Sequence, residues 1–271
     1  MEMDNTPINS YLISDILLYA KCPMLAFFKI NLGMNDENSS IKGQLGKSLS
    51  LAINTYISNI NSSNAYSLAS RIFGIELSKM KQDSSTRGNL KKKKTLSETT
   101  DSYYRSLERC VSEIKDMDIS NAVSPWVYSL TINNNKHGDR HTYSDLIGEI
   151  NAKFIRNNKT HLMFFDTNTT APSDDYLNNG INITLNALAY REIELDNDFI
   201  LLHYWLLGDT MYEVNRTPEQ ITTVKKEILK MKEMMVVCKD GNYWYRNKGY
   251  WCNNCACQYP CNEISASFQP S

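Results

Sequence analysis

Apolar residues recur every three or four positions through the first half of the chain, which is the spacing of one face of an α-helix. The pattern predicts amphipathic helices over residues 41–57, 65–79 and 97–115. Two shorter helices precede them, one starting at Ser14-Asp15 and one at Pro23, since proline is tolerated at the first position of a helix. The polar residues 82–95 are expected to form a loop.

After Pro125 the pattern changes to short apolar runs separated by turn residues. Strands are predicted over residues 126–132, 146–155 and 161–168, and a hairpin over 199–207 and 210–214. A helix is expected from Asp174-Asp175 to residue 193, and another from Thr217-Pro218 to about residue 235. The order of these elements predicts an α/β (α+β) fold with a mainly helical first part.

The near-neutral charge limits the class of protein. The 271 residues carry 29 Lys and Arg against 30 Asp and Glu, a formal net charge of −1. This balance excludes a globally basic nucleic-acid-binding protein but allows a local basic groove. No stretch of about 18 apolar residues occurs, so no membrane span is expected, and the polar N-terminus does not match a secretory signal. No P-loop is present, so no nucleotide cofactor is expected.

The seven cysteines are the most informative residues. Three of them are far apart, and the other four lie close together near the C-terminus: Cys252, Cys255, Cys257 and Cys261. An odd number of cysteines without a secretory signal predicts a reducing, cytoplasmic compartment rather than a disulfide framework. In such a compartment a tight group of thiols is typical of metal or cluster ligation, and four thiolates also suit a tetrahedral Zn²⁺.

A second candidate site lies on the predicted strands. Because successive side chains of a strand alternate between its faces, Glu149 and Asn151 share one face with Lys153, and Asp166 shares a face with Asn168. If the two strands are neighbours, these carboxylates and amides converge, and such a set holds Mg²⁺ or Mn²⁺ for phosphodiester hydrolysis. The alternative interpretation is that they are simply the polar ends of strands.

The cysteine spacing resembles that of the iron–sulfur branch of the PD-(D/E)XK nucleases, which includes the CRISPR-associated adaptation nucleases and the AddB and RecB-like exonucleases. In that family one cysteine, usually followed by proline, lies near the N-terminus, and three more form C-x2-C-x5-C at the C-terminus. Cys22-Pro23 and then Cys252, Cys255 and Cys261 fit this pattern. The resemblance implies a 4Fe–4S cluster on these four cysteines, which ties the chain ends together.

Two further expectations follow from the resemblance. The first is a single PD-(D/E)XK domain over residues 1–271, with a small mixed sheet flanked by helices. This domain has a mainly helical part (1–120) and a nuclease-like core (121–235). A Cys-rich tail (236–271) follows and packs back on the N-terminus. The second is that Cys257 is not a ligand. A zinc site made of the four C-terminal cysteines is the alternative, and it leaves Cys22 unexplained.

The resemblance also implies a degenerate nuclease site. The family has Gly-x-x-x-His on an early helix, Gly-x-x-Asp and Asp/Glu-x-Lys on two strands, and Gln and Tyr on the next helix. The corresponding residues here are Lys47, Asn151, Asp166, Asn168, Asn186 and Tyr190. Replacement of a carboxylate, a lysine and a histidine removes groups that hold the metal and stabilise developing charge, which predicts little hydrolysis. Lys153 and Tyr190 are candidates for contact with nucleic acid.

Three functions are therefore expected as alternatives. The first is a pseudo-nuclease that binds DNA or a protein partner in DNA processing; the asparagine-rich sequence suggests an AT-rich genome, as in a virus, phage or mobile element. The second is an active metal-dependent DNA exonuclease that uses Asp166 and Glu149. The third is a binding or structural protein with a zinc-holding tail.

Overall fold

The structure, a computed structural model, describes residues 11–34, 41–86, 90–133, 143–241, 243–249, 252, 255 and 257–267. The chain divides into two compact units. The terminal unit comprises Met1–Asn38, Tyr128–Gly148 and Pro218–Ser271, and the central unit comprises Ser39–Val127 and Glu149–Thr217. None of the described helices is both long and apolar enough to span a membrane.

Helices and strands are mixed along the chain, as the α/β class predicts. In chain order the elements are β1 (Tyr11–Leu12), α1 (Ile13–Lys21), α2 (Pro23–Ala26), a π-helical turn (Phe27–Asn31), α3 (Ile41–Ser58), α4 (Ala65–Thr86), α5 (Leu90–Asp116), β2 (Ser120–Val123), β3 (Trp126–Asn133), β4 (Tyr143–Ile150), β5 (Ala152–Arg156), β6 (Lys159–Asp166), α6 (Asp174–Asn179), α7 (Ile181–Glu194), β7 (Phe199–Trp205), β8 (Thr210–Val214), α8 (Pro218–Asp240) and α9 (Gln258–Ser267).

The central unit is built on a five-stranded mixed sheet with the order β2-β5-β6-β7-β8. Strands β6 and β7 run parallel, whereas the other neighbouring strands are antiparallel. One face of the sheet, which carries Met163, Leu202 and Tyr204, packs in the same core as the apolar sides of α3, α4 and α5. On the opposite face the ring of Tyr176 in α6 contacts His203, with ring centroids 5.6 Å apart. The unit is therefore a sheet with helices on both faces.

The helical periodicity of α3 shows why this core forms. Leu45, Leu49, Ile53 and Ile57 recur along one side of the helix, and all four are completely buried. Full burial of an aliphatic side chain contributes roughly 1.5–3 kcal/mol, so this stripe fixes which side of α3 faces the sheet. The prediction of this helix is confirmed.

The terminal unit joins the two ends of the chain in one apolar cluster. A separate small sheet has the order β1-β4-β3, and β1 runs parallel to β4 in it. Residues of α1, α2, α8 and the C-terminal segment share the cluster: Tyr19, Cys22, Met24, Leu25, Ala26, Phe28, Met235, Cys238, Trp244 and Cys257. The Met24 N–H donates to the carbonyl of Tyr245 at 3.0 Å, and Asn247 Nδ2 donates to the carbonyl of Lys21 at 3.0 Å.

Three predicted elements differ from the structure. The strand expected over residues 146–155 is two strands, β4 and β5, which meet at Asn151. The helix expected to run to residue 193 is interrupted at Gly180, where a Cβ would lie 2.5 Å from the carbonyl oxygen of Tyr176. The loop expected over residues 82–95 is largely helical, since α4 continues to Thr86 and α5 begins at Leu90; lysine and glutamine favour helices despite their polarity.

Close packing at Gly46 brings α3 against the end of β6. A Cβ built on Gly46 would lie 2.5 Å from Oγ1 and 2.7 Å from Cβ of Thr167, the residue that follows β6. Neither atom belongs to a long flexible side chain, so any larger residue at position 46 has to push the helix away from the strand end. The glycine therefore sets the distance between these two elements.

We predict that Gly46→Ala destabilises the protein by roughly 1–3 kcal/mol, because the added methyl overpacks this contact. Gly74→Ala in α4 is the matched control, since its Cβ would meet only the Tyr104 hydroxyl at an ordinary 3.6 Å. There alanine should stabilise the helix by roughly 0.5–1 kcal/mol. Urea unfolding of both variants measures the difference, and a gain in stability for Gly46→Ala would contradict the packing described.

Candidate functional site

The cysteines of both chain ends line one cavity in the terminal unit. The cavity has a volume of about 360 Å³ and is lined by Cys22, Cys252, Cys255, Cys257 and Cys261, together with Leu25, Phe28, Arg246, Asn247, Lys248, Gly249, Gln258 and Asn262. This volume is many times the share of one water molecule, about 30 Å³. Thiols that are distant in the sequence are thus gathered around a space larger than a single ion needs.

Cys22 reaches the cavity because it lies at a junction between two helices. Its backbone is extended, with φ −163° and ψ 110°, and Pro23 takes the first position of α2. The Cys22 N–H donates to the carbonyl of Leu18 in α1, and the Cys22 carbonyl accepts from Ala26, both at 3.0 Å. The predicted helix start at Pro23 is confirmed, and both neighbouring helices fix the position of the cysteine.

Short-range backbone hydrogen bonds hold the C-terminal cysteines. The Cys252 N–H donates to the carbonyl of Gly249 at 3.0 Å, and the Cys255 N–H to that of Cys252 at 3.3 Å. Within the last turn the Cys261 N–H donates to the carbonyl of Cys257 at 3.0 Å as α9 begins. This winding turns several side chains of a short segment toward the same cavity.

The electrostatic surroundings of the cavity are both apolar and cationic. Burial raises the pKa of the Cys261 thiol, and the nearby Cys22 and Cys255 act in the same direction, whereas the charge and hydrogen bond of Arg246 oppose the rise. Arg246 also donates to Asn262 Oδ1 at 2.7 Å. A cation beside a thiol favours the thiolate, which is the form that ligates metals.

The remaining two cysteines are placed elsewhere. Cys238 packs in the apolar cluster of the terminal unit, where its sulfur lies 3.3 Å from the Tyr19 hydroxyl. Cys110 is buried in the central unit, and burial raises the pKa of its thiol to about 12. Within the described part of the chain, no three His, Cys, Asp or Glu side chains are close enough to form a group that holds a single metal ion.

Asp166, the one acid retained at its motif position, is buried at the end of β6 with 7% of its surface exposed. Its Oδ1 accepts from the Asn168 N–H at 2.8 Å, and its Oδ2 lies 3.3 Å from Nε2 of the buried His203. Burial raises the pKa of Asp166, but the hydrogen bonds from His203 and Asn168 outweigh this and hold the pKa below its ordinary value. Both carboxylate oxygens are therefore engaged within the protein.

Asn151 occupies the break between β4 and β5, and its two side-chain polar atoms and its backbone carbonyl all form hydrogen bonds. Its side-chain oxygen accepts from the Phe165 N–H at 2.8 Å, and its Nδ2 donates to Ser50 Oγ in α3 at 3.3 Å. Its backbone carbonyl accepts from Ser124 Oγ at 2.5 Å. An asparagine side chain both donates and accepts, whereas a carboxylate only accepts. The amide at this position thus ties a strand end to a helix.

The other motif positions lie around the same strand end. Asn168 is exposed, and its carbonyl accepts from Trp205 Nε1 at 2.8 Å. Lys47 is exposed on α3 beside Gly46, which packs on Thr167. Glu149 is exposed near the end of β4. The structure brings Asn151, Asp166 and Asn168 together about the end of β6, where their described contacts are hydrogen bonds within the protein. Lys47 is next in sequence to the glycine that packs there.

Lys153 and Tyr190, the candidates for nucleic-acid contact, lie together on β5 and α7. The Lys153 ammonium is 2.5 Å from Glu194 Oε1 and sits over the rings of Trp126 and Tyr190, at 4.8 and 5.8 Å from their centroids. The hydroxyl of the buried Tyr190 donates to Asp196 Oδ2 at 3.1 Å. Both side chains have internal partners, and contact with nucleic acid stays a prediction.

Two residues important to these sites were not predicted from the sequence. His203 pairs with Phe164 in the register of β6 and β7, and this pairing brings its ring to Asp166. Arg246 lies among polar and aromatic residues before the cysteine segment. The alternation of β7 places His203 on the face of Phe199 and Leu201, but only the parallel pairing with β6 identifies its partner.

Comparisons with known proteins show a likeness to a solved structure but no family. No protein-family model matches the chain, and no curated protein matches it. The crystal structure of SSO0001 is similar over 96% of this chain and 86% of that one, with 12% sequence identity and a TM-score of 0.42. The chemistry of the candidate site therefore rests on its own residues.

We predict that Asp166→Asn destabilises the protein by roughly 1.5–3 kcal/mol near pH 7, because hydrogen bonds to a charged, buried group are lost. Because the pKa of Asp166 is lower in the folded protein than in the unfolded chain, where it is about 3.9, the carboxylate stabilises the fold at any pH above the unfolded pKa. This stabilisation disappears as the pH falls through the folded pKa. The difference in unfolding free energy between wild type and variant should hold from pH 7 to 5 and shrink below about pH 4.

Urea unfolding across this pH range measures the effect. Asp101→Asn, on the exposed side of α5, is the control and should change stability by less than about 0.5 kcal/mol at every pH. A difference for Asp166→Asn that grows as the pH falls would contradict the bonding described, since it would mean that the carboxyl prefers its protonated form in the folded protein.

Proposed function

We propose that this chain is an iron–sulfur protein with a PD-(D/E)XK nuclease-like scaffold that has lost efficient hydrolysis. In this proposal the terminal unit holds a 4Fe–4S cluster through Cys22, Cys252, Cys255 and Cys261. The central unit serves as a binding component for DNA or for a protein partner in DNA processing. The observation that carries the proposal is the cavity that Cys22 shares with the three C-terminal cysteines.

The donor set and the walls of the cavity suit such a cluster. Thiolates are the usual ligands of iron–sulfur clusters, and four of them complete a cubane. Leu25 and Phe28 supply apolar walls, while Arg246 and Lys248 supply positive charge beside the anionic thiolates. A bound cluster would link α1 and α2 to α9 and would act as a covalent tie between the two ends of the chain.

Cys22 distinguishes this proposal from a zinc-holding tail. A tetrahedral Zn²⁺ on Cys252, Cys255, Cys257 and Cys261 needs no residue from the N-terminal helices. Cys22 nevertheless lines the same cavity, at a helix junction that two backbone hydrogen bonds define. This placement favours a ligand set that includes Cys22.

The order and place of the motif residues support the nuclease-like scaffold. Lys47 lies on α3, Asn151 between β4 and β5, Asp166 at the end of β6 and Tyr190 on α7. This is the order of helix, two strands and helix that the resemblance requires. The antiparallel pair β5 and β6 lies in one mixed sheet with β7, which is parallel to β6.

The contacts of the motif residues support the loss of hydrolysis. A metal-dependent nuclease needs carboxylate oxygens that are open to the ion and to an attacking water. Both oxygens of Asp166 are engaged with His203 and Asn168, and the amide of Asn151 is engaged with Phe165 and Ser50. An exonuclease that uses Asp166 and Glu149 would have to bind its metal ion through a buried carboxylate that already has a partner on each oxygen.

We predict that protein purified without oxygen contains about four iron atoms and about four sulfides per chain and absorbs visible light. Serine substitutions of Cys22, Cys252, Cys255 or Cys261 should each remove most of the iron, because a hydroxyl is a poor substitute for a thiolate ligand. Iron and sulfide analysis of each purified variant measures the effect. Cys257→Ser should keep its iron.

Cys110→Ser is the matched control, because Cys110 is a buried thiol of the central unit and is not among the residues that line the cavity. It should leave the iron content unchanged. Colourless protein that contains zinc, together with loss of that zinc in Cys257→Ser but not in Cys22→Ser, would contradict the proposal and establish the zinc-holding tail.

We also predict that the cluster-loaded protein does not cleave single-stranded or duplex DNA above background with Mg²⁺ or Mn²⁺. Cleavage that disappears in both Asp166→Ala and Glu149→Gln would contradict this and establish the active exonuclease. Asp101→Asn, far from the motif positions in the sequence, is the control for contaminating nucleases, which would remain in every preparation.

The same preparation also separates a DNA-binding role from a protein-binding one. Contacts with phosphates release counterions, so DNA affinity that falls steeply with salt would establish binding through the backbone. Weak binding with a flat response to salt would instead favour the protein partner.

A further inference from the structure

Arg246 lies in the wall of the cysteine cavity and is anchored there. Its guanidinium donates to Asn262 Oδ1 at 2.7 Å, and Asn262 directly follows Cys261 in α9. Both Arg246 and Asn262 line the cavity. A guanidinium carries five N–H donors in a rigid planar fork. One arm on Asn262 therefore leaves other N–H groups of the fork in the wall of the cavity that Cys261 also lines.

Cys261 directly precedes Asn262 and lines the same cavity as Arg246, Cys22 and Cys255. Burial raises the pKa of the Cys261 thiol, and the charge of Arg246 opposes that rise. Lys248 lines the cavity as well, but the ammonium of lysine is a flexible point charge without the fork geometry. Arg246 thus places an anchored positive charge and planar N–H donors in the same cavity wall as Cys261.

We propose that Arg246 is a positioning residue that raises the reduction potential of the cluster through an N–H···S hydrogen bond to Cys261. The inference rests on the proposed function, because it concerns the cluster held by the four cysteines. Asn262 supports it by holding the guanidinium in the orientation that this bond needs.

The direction of the effect follows from charge. On reduction the cluster accepts one electron from the reductant, no bond breaks and no proton is transferred, so its negative charge rises by one. A donor N–H and a positive charge beside a ligand sulfur stabilise the more negative state. Net charge and hydrogen bonds to the sulfurs are two of the factors that set the potential of an iron–sulfur cluster.

The test is a spectroelectrochemical titration of the cluster-loaded protein with dithionite and mediator dyes. In Arg246→Ala the ratio of reduced to oxidised cluster at a fixed potential should fall at least tenfold, a shift of about 59 mV for a one-electron couple. Arg246→Lys keeps the charge but loses the fork, so the ratio of reduced to oxidised cluster should fall by a smaller factor. Lys248→Ala is the comparison within the same cavity and should change the ratio less than about threefold, because the flexible ammonium of lysine lacks the fork geometry of Arg246.

Two results would overturn the inference in protein that holds its cluster. One is an Arg246→Ala potential equal to that of the wild type. The other is a Lys248→Ala shift as large as that of Arg246→Ala, which would mean that net charge alone matters. If Arg246→Ala binds no iron, Arg246→Lys and Asn262→Ala decide the question: unchanged potentials in both overturn the inference, and lowered potentials in both support it.

Failure of the inference is distinguishable from failure of the proposed function. A wild-type protein that binds no iron contradicts the proposed function and the inference together. A wild-type protein with its full iron content, whose potential the Arg246 and Asn262 variants do not lower, contradicts the inference alone.

Discussion

The contact between the first helices and the cysteine-rich segment is the constraint on which the candidate metal centre depends. Backbone hydrogen bonding from Met24 to Tyr245 and side-chain bonding from Asn247 to Lys21 join segments more than 200 residues apart in sequence. Between them the ring of Trp244 packs against Phe27 and Tyr19, with centroids 5.6 and 6.2 Å away. Closing so long a loop costs conformational entropy, and the shared apolar cluster offsets that cost. Only because of this closure does Cys22 line the same cavity as Cys261.

In the central unit, hydrogen bonds within the protein hold Asn151 and Asp166 at the end of β6. The side chain of Asn151 connects a strand to a helix, and Asp166 is bonded on both oxygens. A buried polar group that loses its partner costs roughly 1–3 kcal/mol. These residues therefore stabilise the end of β6 in their present arrangement. In the proposed function, the same contacts account for the loss of efficient hydrolysis.

Much of the secondary structure could be predicted because local periodicity and burial agree. The apolar stripe of α3 is one example, and the hairpin of β7 and β8 about Gly208-Asp209 is another. The break at Asn151 could not be predicted in this way, since Ile150, Ala152 and Phe154 continue the alternation of a single strand and all three are buried. The break depends on Ser50, Ser124 and Phe165, which are far away in the sequence. The pairing of His203 with Asp166 likewise follows from the sheet register.

The cysteine set was predicted by resemblance rather than by local pattern, because spacing alone also allowed a zinc site without Cys22. The most direct test of the central claim is Mössbauer spectroscopy of protein prepared anaerobically with enriched iron. The account predicts the spectrum of a 4Fe–4S cluster in the wild type and its loss in Cys22→Ser. An iron signal of this kind that persists in Cys22→Ser, or protein that takes up zinc in place of iron, would contradict it.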